Sequence, residues 1–153
     1  MSVSNLIIVL KKFPLFASFE KEHLQLIAFN LEKVHLHKND ILFHEKNVAD
    51  CAYIITSGKI ELSHISHNNK KEVLTSANAN QMFNETALIV ENLTQKNTAI
   101  ALEETHLLKL PQKLFKRFLV EFPEFTPILY QYYKNRLHKT EALISHFSAF
   151  LQK

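Results

Sequence analysis

The chain has 153 residues, 46% of them apolar and 22% charged, with a formal charge of +3. Its size and composition suit one globular domain and exclude a disordered chain, and the charge is too mild to argue for nucleic acid by itself. A solitary glycine, Gly58, excludes a glycine-rich phosphate loop, and a solitary cysteine, Cys51, excludes an internal disulfide and a cysteine-rich zinc site.

Residues 4–12 read as a short helix that Pro14 stops. The apolar run Leu6–Leu10 has no basic segment before it and no small-residue cleavage site after it, so no signal peptide is expected. No stretch approaches the roughly 18 apolar residues that span a bilayer, so the expected compartment is the cytoplasm, with no membrane partner. A second helix is expected over 19–31. Glu20 and Glu22 sit in its first turn, and Leu24, Ile27, Ala28 and Leu31 form its apolar stripe.

From residue 33 the period changes to two. Val34 and Leu36 alternate with His35 and His37, and Asn39-Asp40 turns the chain into Ile41-Leu42-Phe43. Ala52–Ile55 is a buried type of strand in which Cys51 reads as a small apolar residue, and Ser57-Gly58 is a turn. Residues 59–64 alternate again, His67–Lys70 is a polar hairpin tip, and Glu72-Val73-Leu74 returns. Two further strands are expected at 98–103 and 106–110, joined by Glu104-Thr105. Short strands at this spacing suggest a sandwich or a barrel.

The end reads as helical. Pro111 suits the first turn of a helix that Pro123 closes, with Leu114, Phe115, Phe118, Leu119 and Phe122 on one face. Residues 125–151 read as one long helix bent near Pro127, roughly 40 Å in length. Leu137, Thr140, Ile144, Phe147 and Leu151 repeat at alternating three- and four-residue spacing, as a coiled-coil seam does.

Several stretches together resemble the cyclic nucleotide-binding domain, the β-roll of catabolite-activator-type regulators and of cyclic-nucleotide-gated kinases and channels. Pro14-Leu15-Phe16 precedes the first roll helix, as in the family. Asn39–Phe43 followed by Glu45 matches its second-strand pattern, and Ala52–Ile60 matches its buried strand with the Ser-Gly turn. Met82–Leu88 resembles the start of its phosphate-binding cassette, and Asn97-Thr98-Ala99 stands where the family has Arg-Ser/Thr-Ala. The resemblance implies an α+β fold. An antiparallel, jelly-roll-like β-roll over about 33–110 would be flanked by N-terminal helices and a long C-terminal helix at about 111–151, in one domain over 1–153.

The function it implies is a non-catalytic sensor or adaptor. Its ligand would be cAMP or cGMP, with no resident cofactor. Its C-terminal helix would pair with a second copy or a partner protein. No DNA is implied, because only Gln152 and Lys153 follow the seam. The implied site comprises Phe83, Asn84, Glu85, Thr86, Ala87, Lys96, Asn97 and Thr98. Backbone N–H groups of 84–87 would cradle the phosphate, and Glu85 would accept from the ribose 2′-hydroxyl.

Two departures stand out. Asn97 replaces the family's arginine with an uncharged side chain, and Lys96 beside it would point the opposite way on an extended segment. Asn84 replaces the cassette glycine, which would project a side chain where backbone approaches the ligand. Asn39, Asn78 and Asn80 also stand at family glycine positions, and Asn is the residue that best tolerates the left-handed region after glycine.

The alternative reading is a metal-binding, cupin-like protein or enzyme. It would use His35 and His37, which share a strand face, joined by His44 and His64. Because Val34 and Leu36 take the apolar face, His35 and His37 are expected to point to solvent.

Overall fold

The computed structural model describes residues 2–137. Helices α1 (Val3–Lys11) and α2 (Lys21–Phe29) precede eight strands, and helices α3 (Gln112–Glu121) and α4 (Thr126–Leu137) follow them. The strands are β1 (Glu32–Leu36), β2 (Ile41–Phe43), β3 (Cys51–Ser57), β4 (Lys59–Ile65), β5 (Lys71–Asn78), β6 (Met82–Phe83), β7 (Thr98–Ala101) and β8 (Thr105–Pro111). They form two four-stranded sheets, ordered β1-β8-β3-β6 and β2-β7-β4-β5, with antiparallel pairing throughout. The α+β β-roll expected from the sequence is the observed fold.

Strand β3 explains why its sequence reads as an unbroken apolar run. Cys51, Tyr53 and Ile55 face the interior of the roll, while Ala52 and Ile54 face the helices. A strand covered on both sides has no face to leave polar. The roll interior also holds Phe43, Ile60, Ala99, Ala101 and Leu107. The second core lies between the outer face of this sheet and the helices.

A cluster of phenylalanine rings lies at the centre of the helical side of that second core. Phe19 stacks on Phe118 at 5.0 Å and 9°, and meets Phe125 at 4.5 Å. His23 sets its ring edge-on to Phe122 and Phe125 at 4.8 and 4.7 Å. Burying one such ring contributes about 1.5–3 kcal/mol, and favourable ring geometry adds to it. The cluster ties α2 and α3 to the start of α4, and so fixes where α4 crosses the roll.

Several boundaries differ from the sequence reading. Glu20 lies outside α2 as its N-cap, and its N–H donates to His23 Nδ1 at 3.1 Å. Pro111 is the last residue of β8 rather than the first turn of α3. Pro127 is the second residue of α4, where a missing N–H costs nothing, so it starts the helix instead of bending it. Beyond Leu137, the seam residues Thr140, Ile144, Phe147 and Leu151 lie outside the described residues, as does the rest of the long helix expected there. Among the described residues no helix is long and apolar enough to cross a membrane.

Thr105 belongs to β8 and is fully buried, not part of a linking turn. Its hydroxyl accepts from the Lys59 N–H at 3.1 Å and donates to the Glu103 carbonyl at 2.8 Å. This is also why Gly58 is glycine. Its φ is +98°, and a Cβ there would lie 2.4 Å from Thr105 Oγ1 and 2.6 Å from the Glu104 carbonyl oxygen.

Candidate functional site

Strand β6 leads into a single 3-10 turn, Glu85–Leu88, whose N-cap is Asn84. Asn84 has φ 69°, so it holds the left-handed conformation that a glycine would otherwise supply. Asn39 and Asn80 are also left-handed, at φ 75° and 68°. Asn78 is not among the left-handed residues; it ends β5 in the sheet.

The Asn84 side chain does not project into the ligand region as the sequence suggested. Its Nδ2 donates to the Cys51 carbonyl at 2.9 Å, pinning the cassette to β3. The cassette is held from behind as well. Gln112, at the start of α3, donates from Nε2 to the Ala87 carbonyl at 2.8 Å and the Val90 carbonyl at 3.0 Å. Lys116 pairs with Glu91 at 3.0 Å. A short segment with orphan carbonyls is thus satisfied by a neighbouring helix.

A hollow of about 560 Å³ opens in front of the cassette. Of the residues expected at the site, Phe83, Asn84, Glu85, Thr86, Lys96 and Asn97 line it together. Phe43 and Leu62 supply apolar wall. Tyr53 stacks behind Phe83 with ring centroids 5.3 Å apart. Residues 96–97 form a bend, not an extended segment, so the opposite-facing arrangement expected for Lys96 and Asn97 does not hold.

Two expected residues lie elsewhere. Ala87 is fully buried, and its N–H closes the 3-10 turn on the Asn84 carbonyl at 3.1 Å, so it is not offered to a phosphate. Thr98 opens β7, and its hydroxyl accepts from the Glu45 N–H at 2.9 Å.

Two tyrosines that the sequence reading did not single out complete the site. Tyr132 of α4 donates its hydroxyl to Glu85 Oε2, and the adjacent Tyr133 donates to the Glu85 carbonyl at 3.1 Å. Tyr133 is fully buried, and burial holds its phenol well above the ordinary range. A second hollow of about 390 Å³ lies on this side. Phe13, Thr75, Asn80 and Tyr132 are among its lining residues, and it shares Leu62, Phe83 and Glu85 with the first. No local signal marks the tyrosines, which reach Glu85 across 47 and 48 residues of chain.

Other chemistry is weakly supported. Burial, with help from a hydrogen bond to Asp50, pushes the Cys51 thiol up from 9.0 to about 12, which leaves it protonated and unreactive at neutral pH. His35 and His37 are exposed on the outer side of β1, as expected, so they do not form a cupin-like centre inside the roll. Among the described residues the metal-competent cluster is His35, Glu104 and His106, and His37, His44 and His64 are not part of it. His64 instead lies between Glu45 and Glu72, at 3.5 and 3.4 Å.

Against known families, the model described as "Cyclic nucleotide-binding domain" matches residues 33–122. The chain belongs to this family. A cyclic nucleotide-binding-like protein from Brucella abortus is 34% identical, with a TM-score of 0.67 over 75% of this chain and 97% of that one. The cAMP-bound structure PfPKA-R (141-441) is 25% identical, with a TM-score of 0.70 over 86% of this chain and 47% of that one. Among curated proteins, a lysophospholipase, nte1, from Aspergillus niger is 27% identical over 100 residues, which is 65% of this chain. The match spans only 6% of that enzyme's length. The family model and the two matching structures thus agree on a cyclic nucleotide-binding domain, and the cupin-like alternative is not favoured.

Proposed function

We propose that this chain is a non-catalytic regulatory module whose hollow takes a cyclic nucleotide, cAMP or cGMP, and whose response passes to α4. The observation that carries this reading is the position of Glu85, which borders the hollow and is hydrogen-bonded by Tyr132 of α4. A ribose 2′-hydroxyl is a donor that needs an acceptor of this kind. On entry it would compete with Tyr132 for the same carboxylate. Ligand binding would thereby loosen the contact between cassette and α4 and shift the population of α4 positions.

In this reading Lys96 supplies the positive charge that the family's arginine normally brings. It is exposed, and an ammonium is a point charge without the guanidinium fork. Charge neutralisation would be weaker and more salt-dependent than in a relative with arginine. The hollow's size lies within the usual range for small-molecule sites, about 300–1,000 Å³. The cAMP-bound relative supports the ligand class. Pairing with a second copy or a partner protein through the C-terminal helix is part of the proposal, and sedimentation of the full chain tests it.

The central test is isothermal titration with cAMP and with cGMP, repeated on Lys96→Ala. Heat with either nucleotide, reduced in the variant, supports the reading. The absence of both heat and thermal shift at millimolar nucleotide would overturn the ligand claim and leave a protein-binding adaptor.

A further inference from the structure

The histidine pair noticed in the sequence finds different partners in the fold. Strand β1 pairs antiparallel with β8 so that His35 lies directly opposite His106. Directly opposed side chains have Cβ atoms about 4.5–5.5 Å apart. Here the two imidazole rings stack, with centroids 4.4 Å apart and planes 4° from parallel. Glu104 comes from the turn into β8. Its Oε1 lies 2.9 Å from His35 Nε2 and 3.9 Å from His106 Nε2. The three donor atoms all lie within 4.8 Å of one another. His37 stands next in line, its ring centroid 4.8 Å from that of His35.

We infer that His35, His106 and Glu104 form a binding site for a borderline divalent transition-metal cation such as Zn²⁺. Two imidazoles and one carboxylate are a set that such ions take readily. Bonds of about 2.0–2.2 Å to a tetrahedral centre need donors a little over 3 Å apart, so on binding the stacked rings would splay and turn their Nε2 atoms towards one point beside Glu104. The backbone beneath is held firmly. The β1–β8 ladder fixes the two histidines, and buried Thr105, bonded to Lys59 and Glu103, anchors the turn that carries Glu104. All three ligands are exposed, so the ion has open access.

The site is separate from the hollow. Val34 and Leu36 turn into the roll interior, which places His35 on the outer face of β1. A bound ion would clip β1 to β8 and stabilise the folded chain by mass action.

The test uses the full chain, freed of any affinity tag, titrated with ZnCl₂ by calorimetry and followed by imidazole nitrogen NMR. One ion per chain is expected, with ring signals of His35 and His106 shifting and that of His67, on the β4–β5 hairpin tip, unmoved. His35→Ala and His106→Ala should each weaken binding by about tenfold or more, since even a supporting residue at a metal site is worth that much. His67→Ala should leave the affinity unchanged. Absence of binding with Zn²⁺ in large excess would overturn the proposal. So would shifts confined to other histidines, a measurement on the unmutated chain that owes nothing to how the variants fold.

Discussion

The hydroxyl of Tyr132 donates to the Glu85 carboxylate, joining α4 to the turn that fronts the hollow. The next residue, Tyr133, reaches the backbone of that same glutamate. One carboxylate therefore stands between the hollow and the helix leading away from it.

Tyr132→Phe removes only that hydroxyl. Stability should fall by about 1.5–3 kcal/mol, the net value of a hydrogen bond to a charged group. If Tyr132 competes with nucleotide for Glu85, the same variant should bind nucleotide more tightly. Denaturant midpoints and calorimetric titration read the two effects separately. Lower stability with unchanged or weaker nucleotide binding would argue against the competition.

Asn97→Arg restores the guanidinium of the family pattern at the edge of the hollow. Bidentate, charge-assisted contact is about twice as strong as a neutral hydrogen bond. Nucleotide affinity should rise by about tenfold or more, and its salt dependence should change with it. Titrations at two ionic strengths check this.

Asn84 combines a left-handed backbone with a side-chain bond to Cys51. Asn84→Gly keeps the backbone and loses the bond, so it should cost about 1 kcal/mol. Asn84→Ala loses the bond and also places a Cβ in the left-handed region, adding about 1–2 kcal/mol. The order of urea midpoints, wild type above glycine above alanine, is the result to look for.

Gly58→Ala meets Thr105 Oγ1 and the Glu104 carbonyl at distances real Cβ atoms do not tolerate. The φ of +98° adds strain of its own. A loss of about 2–4 kcal/mol is expected, among the larger effects of single substitutions. Thermal unfolding would show it as a clear drop in midpoint.

Alkaline pH should destabilise the protein in a defined order. The Cys51 thiol is raised from 9.0 to about 12 in the folded chain, chiefly by burial. Once pH passes the ordinary value, the unfolded chain releases this proton and the folded chain keeps it. The unfolded state then binds fewer protons, so stability is complete below pH 9 and declines as pH rises towards the folded value. Tyr53 and Tyr133, both raised by burial, add to the decline above pH 10. Each group contributes a slope approaching about 1.4 kcal/mol per pH unit. Urea midpoints measured from pH 8 upward should fall from pH 9, and Cys51→Ala should remove the earliest part of that fall.

Much of this was legible in the chain itself. Period-two alternation at Val34–His37 and Lys59–His64, the apolar run of β3 and the Ser57-Gly58 turn are local patterns that marked strands of a sandwich or barrel, and the family resemblance of these stretches implied the roll. The asparagines at 39, 80 and 84 take the left-handed turns that their place at family glycine positions implied, whereas Asn78, read the same way, stays in the sheet. Tertiary structure alone decided which groups meet. It turned Asn84 inward to Cys51, set Lys96 beside Asn97 on one hollow through a bend, brought Tyr132 to Glu85, and laid His106 against His35 in place of His44 or His64. Those meetings depend on strand register and on where a helix crosses the roll. Both are set by packing summed over the whole core, which no short stretch of sequence contains.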